Sequence, residues 1–83
     1  MANLNLEYLN RCRSLLPMFN RSVEWALFQQ SGFTQNDLQR RLLLSTQSSA
    51  KILDCMVTAK IVVHRGHGLH VPICPRHEWK QTL

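Results

Sequence analysis

The sequence predicts a mainly α-helical domain that carries one small β-hairpin. Two stretches with helical periodicity, residues 34–42 and 47–59, flank a polar turn that can cap the second of them. A β-branched run at 61–63 follows, and then a ribbon, 64–71, that two glycines interrupt. With 83 residues the chain has the length of one domain, 1–83.

The first segment, residues 4–16, is predicted to be an amphipathic helix that Pro17 ends. This helix precedes the three helices that are predicted within residues 22–59. Its apolar stripe must therefore cover either the domain's own core or a second subunit. We favour the second subunit and predict a homodimer, with residues 1–20 as the accessory segment. The predicted dimer contacts are Tyr8, Leu9, Cys12, Leu15 and Leu16.

The second helix is predicted to begin at Ser22, which can cap the following amides, and to run to about Gln30. Gly32 is well placed to end it in a left-handed conformation. Trp25 and Phe28 flank the inward side of this helix. The inward residues are Val23, Ala26 and Leu27.

The third helix has a predicted capping box, because Thr34 stands three residues before Asp37. Leu38 and Leu42 should face the core. The outward residues are then Gln35, Gln39, Arg40 and Arg41. The two arginines are predicted to contact phosphates, and the alternative is an ordinary solvated face.

The fourth helix is predicted to begin after a cap at Ser45 or Thr46. Its predicted buried stripe is Ala50, Leu53, Met56 and Val57. Short or amide side chains that can hydrogen-bond base edges, together with one cation, are left on the outward face of its N-terminal half. These residues are Gln47, Ser48, Ser49 and Lys51.

The hairpin is predicted to pair 61–63 with 69–71 around the turn 65–68. Arg65 and His67 should project from its tip, either onto a phosphate backbone or as an ordinary exposed turn. Residues 73–83 form a C-terminal extension that breaks at Pro75 and packs Trp79 onto the domain or a partner.

The charge of the chain suits a polyanionic partner. Lys and Arg number 10 against 5 Asp and Glu, which gives a formal net charge of +5, and seven of the cations are arginine. The three cysteines are widely spaced and no secretory apolar segment precedes them, so we expect reduced thiols and a cytoplasmic protein. No apolar run approaches the roughly 20 residues that span a bilayer, and we expect no membrane partner.

Metal and enzyme chemistry have weaker support. Four histidines and one cysteine fall within residues 64–77, and these side chains suit zinc. A hairpin would send His64 and His70 to one face and His67 at the tip elsewhere, so we predict no metal site and no cofactor. No glycine-rich phosphate loop and no paired acids are present, and we expect no catalysis.

Residues 34–72 resemble the winged helix-turn-helix superfamily of bacterial and phage transcription regulators. The resemblance rests on a T-x-x-D-L-x-x-x-L helix, a polar turn, a second helix and a strand–glycine–strand wing. One departure is Lys60 followed by Ile61, where the family often has glycine.

That resemblance implies a winged-helix core at 21–72 with an additional N-terminal helix. It also implies a small transcription regulator that binds double-stranded DNA sequence-specifically, with the 46–59 helix in the major groove and the 61–71 wing on the backbone. The alternative is a protein-interaction module on the same fold, as a subunit of a larger complex or a phage-encoded inhibitor.

Overall fold

The computed structural model describes residues 4–83, and it confirms a mainly α-helical fold with a small antiparallel hairpin. None of the helices in this part of the chain is long and apolar enough to cross a membrane. In chain order the elements are α1 (Leu6–Leu15), α2 (Phe19–Leu27), α3 (Gln35–Arg41), α4 (Thr46–Thr58), β1 (Val62–His64), β2 (His70–Pro72) and α5 (Arg76–Thr82).

The predicted start of the second helix at Ser22 is wrong, because α2 begins at Phe19. Met18 precedes it in a left-handed conformation with φ of 71°. Ser22 is buried inside the helix, where its hydroxyl donates to the Met18 carbonyl oxygen at 2.7 Å. The Ser22 hydroxyl is therefore hydrogen-bonded to the preceding turn of the helix and does not cap the amides that follow.

Local capping determines the start of α3 and α4. The capping box is confirmed: the Asp37 N–H donates to Thr34 Oγ1 at 3.1 Å, and the Thr34 N–H donates to Asp37 Oδ2 at 3.0 Å. These bonds to Thr34 lower the pKa of the Asp37 carboxyl. Ser45 caps α4 by accepting from the Ser48 N–H at 3.0 Å.

The predicted hairpin is present, but each strand lies one residue later than the predicted 61–63 and 69–71: Val62 pairs with Pro72 and His64 pairs with His70. Phe33 adds a bridge to the outer edge of β2, because the Phe33 N–H donates to the His70 carbonyl oxygen at 2.8 Å and the His70 N–H donates to the Phe33 carbonyl oxygen at 2.7 Å. Through this bridge, the residue before the Thr34 cap of α3 is joined to the strand that follows the hairpin tip.

The core lies between the helices and the inner face of the hairpin. The α1 residues Leu9 and Cys12 belong to this core, with Leu9 0% exposed. The prediction that they contact a second subunit is wrong, because the chain's own core already covers them.

The C-terminal extension forms a helix, α5, that the sequence did not indicate. Its Trp79 is buried within the domain and packs edge-on against Phe19, with ring centroids 6.2 Å apart. Arg13 from α1 lies over the Trp79 ring at 4.6 Å and donates to the Thr82 carbonyl oxygen at 3.0 Å. The sequence predicted that Trp79 packs on the domain or on a partner, and packing on the domain is confirmed.

Candidate nucleic-acid interface

The outward face of α4 carries polar side chains that have no partner of their own. Gln47, Ser48 and Lys51 are exposed, and their side chains make no hydrogen bond or ion pair with another residue in the range 4–83. Because residues three and four apart lie on one side of a helix, Gln47 and Lys51 form a ridge with Asp54 and Thr58, which are also exposed. This ridge is the candidate interface.

The placement of Ser49 on this face is wrong. Ser49 is 0% exposed, and its hydroxyl donates to the Thr46 carbonyl oxygen at 2.9 Å while accepting from Gln35 Nε2 at 3.3 Å. Ala50 occupies an exposed position, so its predicted burial is also wrong. The buried stripe consists of Ser49, Ile52, Leu53 and Met56.

The two glutamines of α3 are not free outward side chains, as the sequence predicted, but contacts to α4. Gln35 Nε2 donates to the Thr46 carbonyl oxygen at 3.3 Å, and Gln39 Nε2 donates to Thr46 Oγ1 at 3.1 Å. Together with Ser49, they join α3 to the first turns of α4. Three side chains that the sequence assigned to the outward surface therefore form hydrogen bonds between α3 and α4.

A narrow apolar groove of about 230 Å³ runs between α1 and α4. Arg11 and Lys51 line this groove with Asp54. Helix α1 therefore places the cation Arg11 beside the ridge, a position that the sequence did not predict. A signal was available, since Arg11 lies on the polar side of α1. The lining residues are Tyr8, Arg11, Cys12, Leu15, Leu16, Lys51, Asp54 and Cys55.

The groove holds part of the predicted dimer contact. Leu15 is 69% exposed, whereas Tyr8 and Leu16 are half-buried against the core. Burial raises the pKa of the Cys12 thiol to about 11, and the neighbouring Cys55 thiol together with burial raises the pKa of Tyr8. Cys12 and Tyr8 are therefore neutral at physiological pH and add no negative charge beside Arg11.

A second hollow, of about 310 Å³, lies on the other side of the ridge against the hairpin. His64 and His70 face each other across the strands with ring centroids 4.8 Å apart, and Asp54 lines the same hollow. Burial lowers the pKa of His70, and the hydrogen bond to the Gly68 carbonyl oxygen partly opposes this shift. His70 Nδ1 lies 3.0 Å from the Gly68 carbonyl oxygen, which fixes the ring. Burial therefore disfavours the charged form of His70 and makes the ring a poor ligand for phosphate.

The hairpin tip presents Arg65 and His67 to solvent, as predicted. The Arg65 N–H donates to the Leu69 carbonyl oxygen at 2.8 Å, which closes the turn. Gly66, His67 and Gly68 all have positive φ, so the turn depends on glycine at two of its positions.

Arg40 and Arg41 lie apart from the ridge and its two flanking hollows. They line a wider hollow of about 910 Å³ between α2 and α3, next to Trp25 and Phe28. Arg40 Nη2 is 3.8 Å from Asp37 Oδ1, an exposed contact of the kind that contributes little to stability.

In residues 4–83 no three His, Cys, Asp or Glu side chains are grouped so that they could hold a metal ion.

Comparison with known proteins found no matching family model, no matching curated protein and no matching solved structure.

Proposed function

We propose that this chain is a winged helix-turn-helix protein that binds double-stranded DNA, with α4 in the major groove and the hairpin tip on the neighbouring backbone. The observation that carries the proposal is the exposed outward face of α4, which consists of the ridge and the adjacent Ser48. Gln47, Ser48 and Lys51 have no partner within the described chain, so their donors and acceptors are free for base edges and phosphates.

The arrangement of elements supports this use. Helix α2, the bridge at Phe33, α3, α4 and the hairpin follow one another in the order of a winged helix, in which the helix after the turn enters the major groove. The major groove of B-form DNA is about 12 Å wide and admits one α-helix. Ala50 adds no bulk to the exposed side of α4, which favours close approach.

The charges beside the ridge support backbone contact. Lys51 lies on the ridge, Arg11 lies across the α1 groove from it, and Arg65 stands at the hairpin tip. In this proposal these three cations hold phosphates, while Gln47 and Ser48 read bases. Occupancy of a promoter in the cytoplasm would then regulate transcription by blocking or recruiting polymerase.

Fluorescence anisotropy with a labelled random-sequence duplex, titrated at several salt concentrations, tests the proposal. Replacing Lys51 with alanine should weaken binding and reduce the salt slope of log K by about 1, because one phosphate fewer is neutralised. Lys80→Ala is the matched control, since Lys80 is an exposed lysine on α5. Equal salt slopes for the two variants, or no duplex binding at low salt, would refute the proposal.

A second candidate function is docking onto a protein, and the α2–α3 hollow favours it. This hollow combines the exposed ring of Phe28 with Arg40 and Arg41, and Arg76 lies over Phe28 at 3.7 Å. Aromatic and arginine side chains are enriched where proteins bind one another. Loss of partner binding in Phe28→Ala, with duplex binding unchanged, would assign this face to protein.

A further inference from the structure

Asp54 is an exposed acid on the ridge, beside the cations Lys51 and Arg11. It lines both the groove beside α1 and the hollow beside the hairpin, which places it on the crest of the ridge. Its carboxylate makes no ion pair or hydrogen bond with another residue in the range 4–83. Lys51, one turn earlier on the same helix, does not reach it within salt-bridge distance.

An unpaired carboxylate at this position acts against general DNA affinity. Phosphates repel it, so a surface selected only to hold the backbone would carry a neutral or basic residue here. A carboxylate in a major groove accepts hydrogen bonds from base edges, and among these edges only the exocyclic amines donate.

We infer that Asp54 is a specificity-determining residue that accepts a hydrogen bond from the N4 amine of cytosine; this inference rests on the proposed function of α4. Guanine and thymine present acceptor atoms in the major groove, so the carboxylate disfavours them at the same position. Adenine offers an N6 amine but sets an acceptor, N7, beside it, which repels the second carboxylate oxygen.

The neighbours of Asp54 support this role. Ala50, one turn earlier, is exposed and small, and it lines the hairpin-side hollow with Asp54. A methyl group there lets the crest approach base edges closely enough for a short side chain to reach them. Asp54 thus contributes to affinity at cytosine-containing sites and reduces affinity elsewhere.

The experiment is selection of binding sites from a random duplex pool by the full chain, compared between the unmodified protein and Asp54→Asn. The asparagine keeps the shape but removes the charge and adds a donor. The unmodified protein should enrich cytosine at one fixed position, and the variant should lose about tenfold of that preference. The variant should also bind random duplex about threefold more tightly, since repulsion of phosphates is removed.

Glu7→Gln is the matched control, because Glu7 is an exposed acid in the first turn of α1, outside both hollows. It should leave base preference unchanged. Circular dichroism melting confirms that each variant is folded. Identical selected sites for the unmodified protein and Asp54→Asn would overturn the inference alone, whereas failure of the unmodified protein to bind any duplex would overturn the proposed function with it.

Discussion

Gln39 and Thr46 join the end of α3 to the first turn of α4, with Gln39 Nε2 donating to Thr46 Oγ1 at 3.1 Å. The bond spans the turn that contains Leu43, whose φ is 55°. Gln35 repeats the contact one turn earlier on α3, at the Thr46 carbonyl oxygen and at Ser49. The start of the candidate DNA-reading helix is therefore positioned by hydrogen bonds from α3 as well as by apolar packing.

Substitution by alanine should affect stability at Ser49 and duplex binding at Ser48. Ser49→Ala removes a buried hydroxyl and leaves the Gln35 amide with one acceptor fewer, which should lower the free energy of unfolding by about 1 kcal/mol. Ser48→Ala, its matched control, should leave stability nearly unchanged and weaken duplex binding. Urea denaturation and anisotropy measure both effects, and equal stability of the two variants would contradict the burial of Ser49.

Gly32 and Gly66 separate steric from conformational requirements for glycine. Both have positive φ, 98° and 89°, but a Cβ at Gly32 would come within 2.9 Å of Leu69 Cδ1, whereas a Cβ at Gly66 meets nothing within 4 Å. Gly66→Ala should cost about 1 kcal/mol of stability from strain alone. Gly32→Ala should cost more, because the Leu69 side chain must also move and the His70 carbonyl oxygen lies 3.1 Å from that Cβ. If thermal denaturation shows a smaller loss of stability for Gly32→Ala than for Gly66→Ala, the Leu69 side chain moves aside at little cost in free energy.

The stability of the fold should fall as the solution is made mildly acidic. Burial lowers the folded-state pKa of His70 below its ordinary value of 6.5, so the unfolded chain binds a proton more readily. This contribution is fully present above about pH 6.5 and decreases as the pH falls below it. Asp37 acts in a different window, since its lowered pKa affects stability only at pH values near and below 4.

Urea denaturation at pH 7.5 and pH 5.0 measures the change. His70→Asn should reduce the difference between the two values, because asparagine can still donate to the Gly68 carbonyl oxygen but does not titrate. His77→Asn, at an exposed position on α5, should keep the difference. A pH dependence that His70→Asn leaves intact would assign it to another group.

Substitutions at Leu9 and Leu15 distinguish packing of α1 on the core from contact of α1 with a second subunit. Leu9→Asp places a charge in the core and should prevent folding, whereas Leu15→Asp changes an exposed position and should leave the melting temperature nearly unchanged. If a homodimer forms through the exposed edge of α1, sedimentation of Leu15→Asp should show its loss without unfolding. A folded Leu9→Asp variant would contradict the packing of α1.

Some features that depend on neighbouring residues were predictable, although the predicted cap at Ser22 was wrong, and the partners of buried polar side chains were not predictable. The capping box of Thr34 and Asp37 and the glycine-containing hairpin tip follow from local chemistry. Ser49 was assigned to the wrong face because a buried serine is recognisable only once Gln35 is known to contact it. In the same way, α5 has only seven residues, and its burial of Trp79 depends on Phe19, sixty positions earlier in the chain.

The contact of Arg13 with α5 brings together two ends of the domain that are separated by 69 positions in the sequence. Because Arg13 also stacks on Trp79, separation of α1 from the core would uncover one face of the indole and break the hydrogen bonds between Arg13 and Thr82. Loss of either terminal helix should therefore accompany loss of the other, and amide hydrogens in α1 and α5 should exchange at matching rates. The position of Arg11 beside the ridge then depends on the last turn of the chain, far from any residue that would contact DNA.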